Sequence, residues 1–156
     1  MEPRVIAPAD LPVILSMNNA EVPHVGELVQ SKLDKMLPMC AHALAIGDPA
    51  HAFCLTFGPD VDYWSNNYAW VSEHFDQFVY LDRVCVAPTH QRLGLATRMY
   101  HHVESHTDAT WFVLEVNTRP LNQHSLDFHA ALGFHEVGRA NPYGNDDEVA
   151  YLAKQI

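Results

Sequence analysis

Apolar residues return at helical spacing in two early stretches of the chain. Leu11, Ile14 and Leu15 form the first stripe. Pro8, Ala9 and Asp10 open it, with Asp10 as the expected cap and Pro12 in the first turn, where a missing donor costs little. Val25, Leu28, Val29, Leu33, Met36 and Leu37 form the second stripe, which predicts a helix over 27–37 closed by Pro38. Shorter apolar runs read as strands over 4–7, 42–46, 50–56, 78–86, 111–116, 134–138 and 149–153. Gly47, Asp48 and Pro49 mark a turn between two of them, and the polar residues 141–147 join the last two. Leu95, Met99 and Val103 predict a helix over 96–106, and Asn122 is placed to cap another that stops at Gly133. Residues 58–77, rich in Asp, Asn, Tyr and Trp, read as a long excursion. The expected order is β-α-α-β-β-β-α-β-α-β-β, a mixed α/β class with one central mixed sheet flanked by helices.

A chain of 156 residues suits one domain over 1–156. No apolar run approaches the ~20 residues of a membrane span, and the first residues lack the layout of a signal peptide. The expectation is a cytoplasmic protein with no membrane partner. Acidic residues outnumber basic ones, 19 to 9, which argues against nucleic acid as a partner. The same charge fits attraction of a cationic amine, and it equally fits plain solubility. Cys40, Cys54 and Cys85 are far apart with no Cys-x-x-Cys pair, and read as small buried hydrophobes. His102 and His106 are four apart, but no His-Glu-x-x-His motif or Cys/His cluster accompanies them, so no metal is expected.

The chemistry concentrates after the strand that ends at Val84, Cys85 and Val86. Gln91, Arg92, Leu93, Gly94, Leu95 and Ala96 follow as a loop with small residues opening a helix. The first N–H groups of a helix lack intrahelical partners and face the positive end of its dipole. Gly94 and Ala96 leave a phosphate free to approach the main chain, and Arg92 can add a charged contact. A diphosphate ligand is the natural reading.

The spacing Gln91-x-x-Gly94-x-Ala96 resembles the pyrophosphate loop of the GNAT superfamily of N-acetyltransferases, which holds acetyl-coenzyme A. Leu114, Glu115 and Val116 look like part of that family's next strand. Asn122, Ser125 and the run from Phe128 and His129 to Leu132, Gly133 and Phe134 look like its next helix and corner. The resemblance implies a GNAT fold and an acetyl-CoA-dependent enzyme. It places main-chain groups of Val84, Cys85 and Val86 on the pantetheine arm, the 91–96 loop with Thr97 on the diphosphate, and Asn122 on the pantetheine. It implies Glu115 as proton acceptor, with Asp82 as the rival carboxylate. Many relatives carry a Tyr where this chain has His129, so His129 is the candidate acid for the leaving thiolate here, or else a helix-surface or cofactor-stacking histidine. The family's Asn stands closer to its Glu than Asn122 does to Glu115, which lets Asn117 share the role or else line the acceptor site. Arg92 stands where Gly is common.

Residues 62–70 carry Tyr63, Trp64, Asn67, Tyr68 and Trp70, aromatic and amide groups suited to an acceptor site. With Asp60, Asp62, Glu73 and Asp76 they can cage an amine, or else pack as a lid or dimer surface. Two function classes stay open at this point. One is an N-acetyltransferase that moves acetyl to a small-molecule or peptide amine by direct attack, as monomer or homodimer. The other is a non-catalytic acyl-CoA-binding or regulatory module, which His129 in place of Tyr keeps alive.

Overall fold

The computed structural model describes residues 1–23 and 25–156. Seven strands form one mixed sheet in the order β1-β2-β3-β4-β5-β7-β6. The chain runs β1 (Arg4–Val5), α1 (Leu11–Asn19), α2 (Gln30–Met36), β2 (His42–Ile46), β3 (Ala52–Phe57), α3 (Asn66–His74) and β4 (Phe78–Val86). It continues through α4 (Leu95–Ser105), β5 (Trp111–Arg119), α5 (Gln123–Ala131), β6 (His135–Ala140) and β7 (Glu148–Gln155). The expected order holds with one addition. The 58–77 excursion contains α3, whose start is capped by the Ser65 hydroxyl accepting from the Tyr68 N–H at 3.2 Å.

The chain divides into two compact units. The first comprises Met1–Phe57 and Leu81–Thr107. Here β1, β2 and β3 pair antiparallel in sequence, and every residue of β3 is buried. Helix α4 supplies Leu95, Met99 and Val103 to the core, the stripe its spacing foretold, and adds Tyr100. Asp10 does not cap α1 with its side chain. Its carboxylate instead takes a two-pronged contact from Arg4, at 2.7 and 2.8 Å, and the N–H of Ala7 at 2.8 Å. The guanidinium wins over the helix N–H groups because a charged, forked donor bonds a carboxylate more strongly. It holds the Asp10 carboxyl below its ordinary range.

The second unit comprises Gly58–Tyr80 and Asp108–Ile156. Strands β4 and β5 run parallel, with Tyr80 level with Val113. Strand β7 lies antiparallel between β5 and β6. Phe112, Val113, Tyr151 and Ala153 are fully buried, and Phe134, just before β6, meets Phe112 edge to face at 5.4 Å. Asn122 caps α5, accepting from the Ser125 N–H, as the sequence indicated. Edge strand β6 is mostly exposed and carries a register shift between Glu136 and Gly138, a device that blunts pairing at a sheet edge.

Candidate active site

The loop after β4 is open to solvent. Gln91, Arg92, Leu93 and Gly94 are all exposed, and Leu95 is the first residue of an eleven-residue helix. Arg92 and Gly94 both adopt left-handed backbone, at φ 65° and 75°. Left-handed residues recur in main-chain concavities that suit an anion. Gly94 is the N-cap of α4, and no side chain caps that end. A Cβ at Gly94 would meet nothing within 4 Å. Space, donors and dipole therefore fit a diphosphate. Val84 and Val86 are half-buried, Cys85 is buried, and Ala96 and Thr97 are intermediate. Gln91 reaches back, its side-chain amide donating to the Val86 carbonyl at 3.4 Å.

A second cluster gathers around Glu115. Tyr80 is level with Val113 across the parallel pair, and Glu115 lies two residues farther along β5 on the same face. The Tyr80 hydroxyl donates to Glu115, 3.0 Å from Oε1 and 2.9 Å from Oε2. The Asn67 amide of α3 donates to Oε1 at 3.1 Å and to the Tyr143 hydroxyl at 3.0 Å. The Tyr151 hydroxyl donates to Asn67 Oδ1 at 2.8 Å. Burial, and the negative charge of Glu115 beside it, raise the Tyr151 phenol well above its ordinary value. It stays a neutral donor. Neutral donors of this kind hold a carboxylate in one orientation, ready to accept a proton from outside the cluster.

The rival carboxylate is otherwise engaged. Asp82 pairs with Arg83 at 2.7 Å, both side chains nearly enclosed. Arg83 also bonds the Asn18 side chain and the Gly26 carbonyl. A buried charge network of this sort is costly to open.

His129 is buried, and its Nδ1 lies 2.7 Å from the Ser125 carbonyl. A carbonyl only accepts, so Nδ1 carries the hydrogen and the neutral ring keeps its lone pair on Nε2. Burial lowers the His129 pKa below the ordinary 6.5, outweighing the Ser125 bond. The neutral ring is thus an acceptor near pH 7, and protonating a thiolate would first require charging it. In the window just beneath 6.5 the unfolded chain binds a proton at this residue and the folded one does not, so stability falls as pH falls. His129→Phe should flatten that acid loss in melting temperature, and its turnover should match wild type near neutral pH. A large loss of turnover at neutral pH would assign His129 the acid role.

The aromatic segment lies mostly inward. Tyr63, Asn67 and Tyr68 are buried, and the Tyr68 hydroxyl donates to the Gly58 carbonyl at 2.7 Å. Trp70 stacks flat on Tyr151 at 3.8 Å. In this unit the exposed Trp and Tyr side chains among the described residues are Trp64 and Tyr143. Asn117 is half-buried opposite Val149, and its carbonyl accepts from the Asn122 N–H. Sequence reasoning does not single out Tyr80, Tyr143 or Tyr151. Tyr80 carries a signal all the same: a phenol inside an apolar strand, in a parallel pair with the strand that holds Glu115.

The model of the acetyltransferase (GNAT) family matches residues 49–134, more than half of the chain. The chain belongs to the GNAT acetyltransferase family. None of the curated proteins matches it by sequence. Its fold is that of solved GNAT structures. The ribosomal-protein-S18-alanine N-acetyltransferase of Escherichia coli is similar with a TM-score of 0.72 and 16% identity, over 99% of this chain and 92% of that one. Naa20 of Chaetomium thermophilum, in complex with a bisubstrate analogue, gives 0.76 and 16%, over 100% and 87%. NAA60 of Arabidopsis thaliana, in complex with acetyl-CoA, gives 0.74 and 15%, over 99% and 98%. Among the described residues of this GNAT protein, no His, Cys, Asp and Glu cluster is arranged to hold a metal ion, and no helix is long and apolar enough to cross a membrane.

Proposed function

We propose that this GNAT protein transfers the acetyl group of acetyl-CoA to a primary amine by direct attack, with Glu115 as the base. The observation that carries the reading is the Glu115 carboxylate gripped at both oxygens by Tyr80 and at one by Asn67. Acetyl-CoA supplies an acyl group activated as a thioester. The 91–96 loop and the start of α4 hold its diphosphate, with Arg92 adding charge. Main-chain groups of Val84, Cys85 and Val86 line its pantetheine arm, with Asn117, Asn122 and Ser125 assigned to the same arm. Glu115 accepts the proton that the amine nitrogen sheds as its bond to the acyl carbon forms, the carbon–sulfur bond of the thioester breaks, and coenzyme A leaves as its thiolate, which takes a proton from water. Tyr80 keeps the carboxylate turned for that transfer.

Direct attack is favoured over an acetyl-enzyme because the thiols are poor nucleophiles. Burial pushes Cys40, Cys54 and Cys85 each up to about 12, so a negligible fraction is thiolate near pH 7. Their free state suits a reducing compartment, which supports a cytoplasmic setting. The acceptor is a small-molecule amine or a peptide N-terminus; one protein of similar fold is an N-acetyltransferase for the alanine of a ribosomal protein, and another is solved in complex with a bisubstrate analogue. The surplus of 19 acidic over 9 basic residues suits a cationic acceptor.

The test is the initial rate of thiol release from acetyl-CoA with a panel of polyamines, amino acids and short peptides with free N-termini. Amine-dependent release is expected. Protection against melting by coenzyme A, with no amine-dependent release across the panel, would make the protein a binder instead.

A further inference from the structure

The face of α3 and the face of the sheet in its unit have matching periods. Glu115 of β5 stands opposite Tyr151 of β7, and Tyr151 stands opposite Gly138 of β6. The three form one row across three strands. Asn67 and Trp70 are three residues apart and share a helix face. Asn67 meets the first half of the row, bonding Glu115 Oε1 at 3.1 Å and the Tyr151 hydroxyl at 2.8 Å. Trp70 meets the second half. Its ring stacks on Tyr151 at 3.8 Å and 5°, and a Cβ at Gly138 would lie 2.5 Å from Trp70 Cζ2. Glycine at 138 is what lets the indole lie there. His74 then stacks on Trp70 at 3.8 Å.

This arrangement leaves the Asn67 amide one orientation. An ionised Glu115 only accepts, so the Asn67 NH2 must face it, and Oδ1 must then take the Tyr151 hydroxyl. Turning the amide over would set two acceptors against each other beside Glu115. Asn67 is buried, which makes such a mismatch costly. Trp70 in turn keeps the Tyr151 ring from tilting away.

We infer that Asn67 is the positioning residue for Glu115, its amide locked by Tyr151 and the Trp70 stack so that it aims the carboxylate. The inference rests on the reading of Glu115 as the base. It adds that α3, an element outside both the loop and the strands, sets the geometry of that base. It also ties the 141–147 turn to the base, because Asn67 bonds the Tyr143 hydroxyl and the neighbouring Asn66 amide donates to the Pro142 carbonyl at 2.7 Å.

Asn67→Asp tests this with nearly the same shape. It keeps an acceptor for Tyr151, removes the NH2 and sets a second carboxylate against Glu115. In protein carrying ¹³C-carboxyl glutamate, the Glu115 signal is identified by its absence from Glu115→Gln. That signal should titrate at higher pH in Asn67→Asp, because a lost donor and a like charge both disfavour the ionised form. Amine-dependent kcat should fall by about 10²-fold, the order expected for a misplaced catalytic group, with KM for acetyl-CoA unchanged. Tyr151→Phe keeps the stack but unlocks the amide, and should shift the same signal in the same direction by less. It decides the matter where Asn67→Asp fails to fold, as judged by its melting curve. An unmoved Glu115 titration in the folded variants overturns the inference, whatever kcat does. If wild type acetylates no amine, the proposed function falls, and the titration alone still decides whether Asn67 holds Glu115.

Discussion

Glu115→Gln is expected to lower amine-dependent turnover by about 10²–10⁴-fold, the usual worth of a general base. Gln keeps the size of Glu and still accepts from the Tyr80 hydroxyl, so packing changes little. It cannot take a proton from an ammonium-forming nitrogen. Coenzyme A should stabilise the variant as it does wild type, since none of the contacts proposed for it uses the Glu115 side chain. Tyr80→Phe provides the graded companion. It removes the donor that spans both Glu115 oxygens and leaves the base itself, so its loss should be smaller than that of Glu115→Gln. Steady-state rates across pH 6 to 9 separate these outcomes. Wild-type turnover in Glu115→Gln at all pH values would mean that the amine's own free-base form or a water chain does this work.

Gly94→Glu is expected to abolish the rise in melting temperature that coenzyme A produces. For wild type that rise corresponds to about 2.7 kcal/mol when ligand is at a hundred times Kd. Two effects act together in the variant. A side chain at φ 75° is strained, and a carboxylate at the N-cap of α4 occupies the anion's place and repels it. Gly94→Ala separates them, because open space around the Cβ position leaves only the strain. It should retain part of the shift. A full shift in Gly94→Glu would remove the loop from the account of binding.

How much of this is visible in the sequence varies by element, for physical reasons. The loop is legible because its chemistry is local. Small residues between a strand and a helix have few other uses, and the helix start supplies its donors from the main chain. Strand β5 is legible because one carboxylate interrupts an apolar run. Helix α3 is not, because residues 66–74 bury Asn67, Tyr68 and Val71 but leave Ala69, Ser72 and Glu73 exposed, too few apolar positions for a stripe. With α3 unseen, Asn67 and Trp70 read as residues for an acceptor. The contacts they make depend on a row made of Glu115, Tyr151 and Gly138, whose members meet only when the strands pair. The Asp10 carboxylate goes to Arg4 instead of capping α1 for a related reason: a local signal loses to a charged partner. His129 is legible as a departure from its family. Its protonation is not, because that depends on burial and on one carbonyl a helical turn away.

The most direct test of Glu115-assisted direct attack reads product and protein in one mass measurement. Wild type is incubated with acetyl-CoA, with and without an amine that supports thiol release. Direct attack assisted by Glu115 predicts an acetylated amine in the first sample and unmodified protein in both. An acetylated protein that hands its acetyl group to added amine, or an amine left unacetylated while thiol is released, would contradict it.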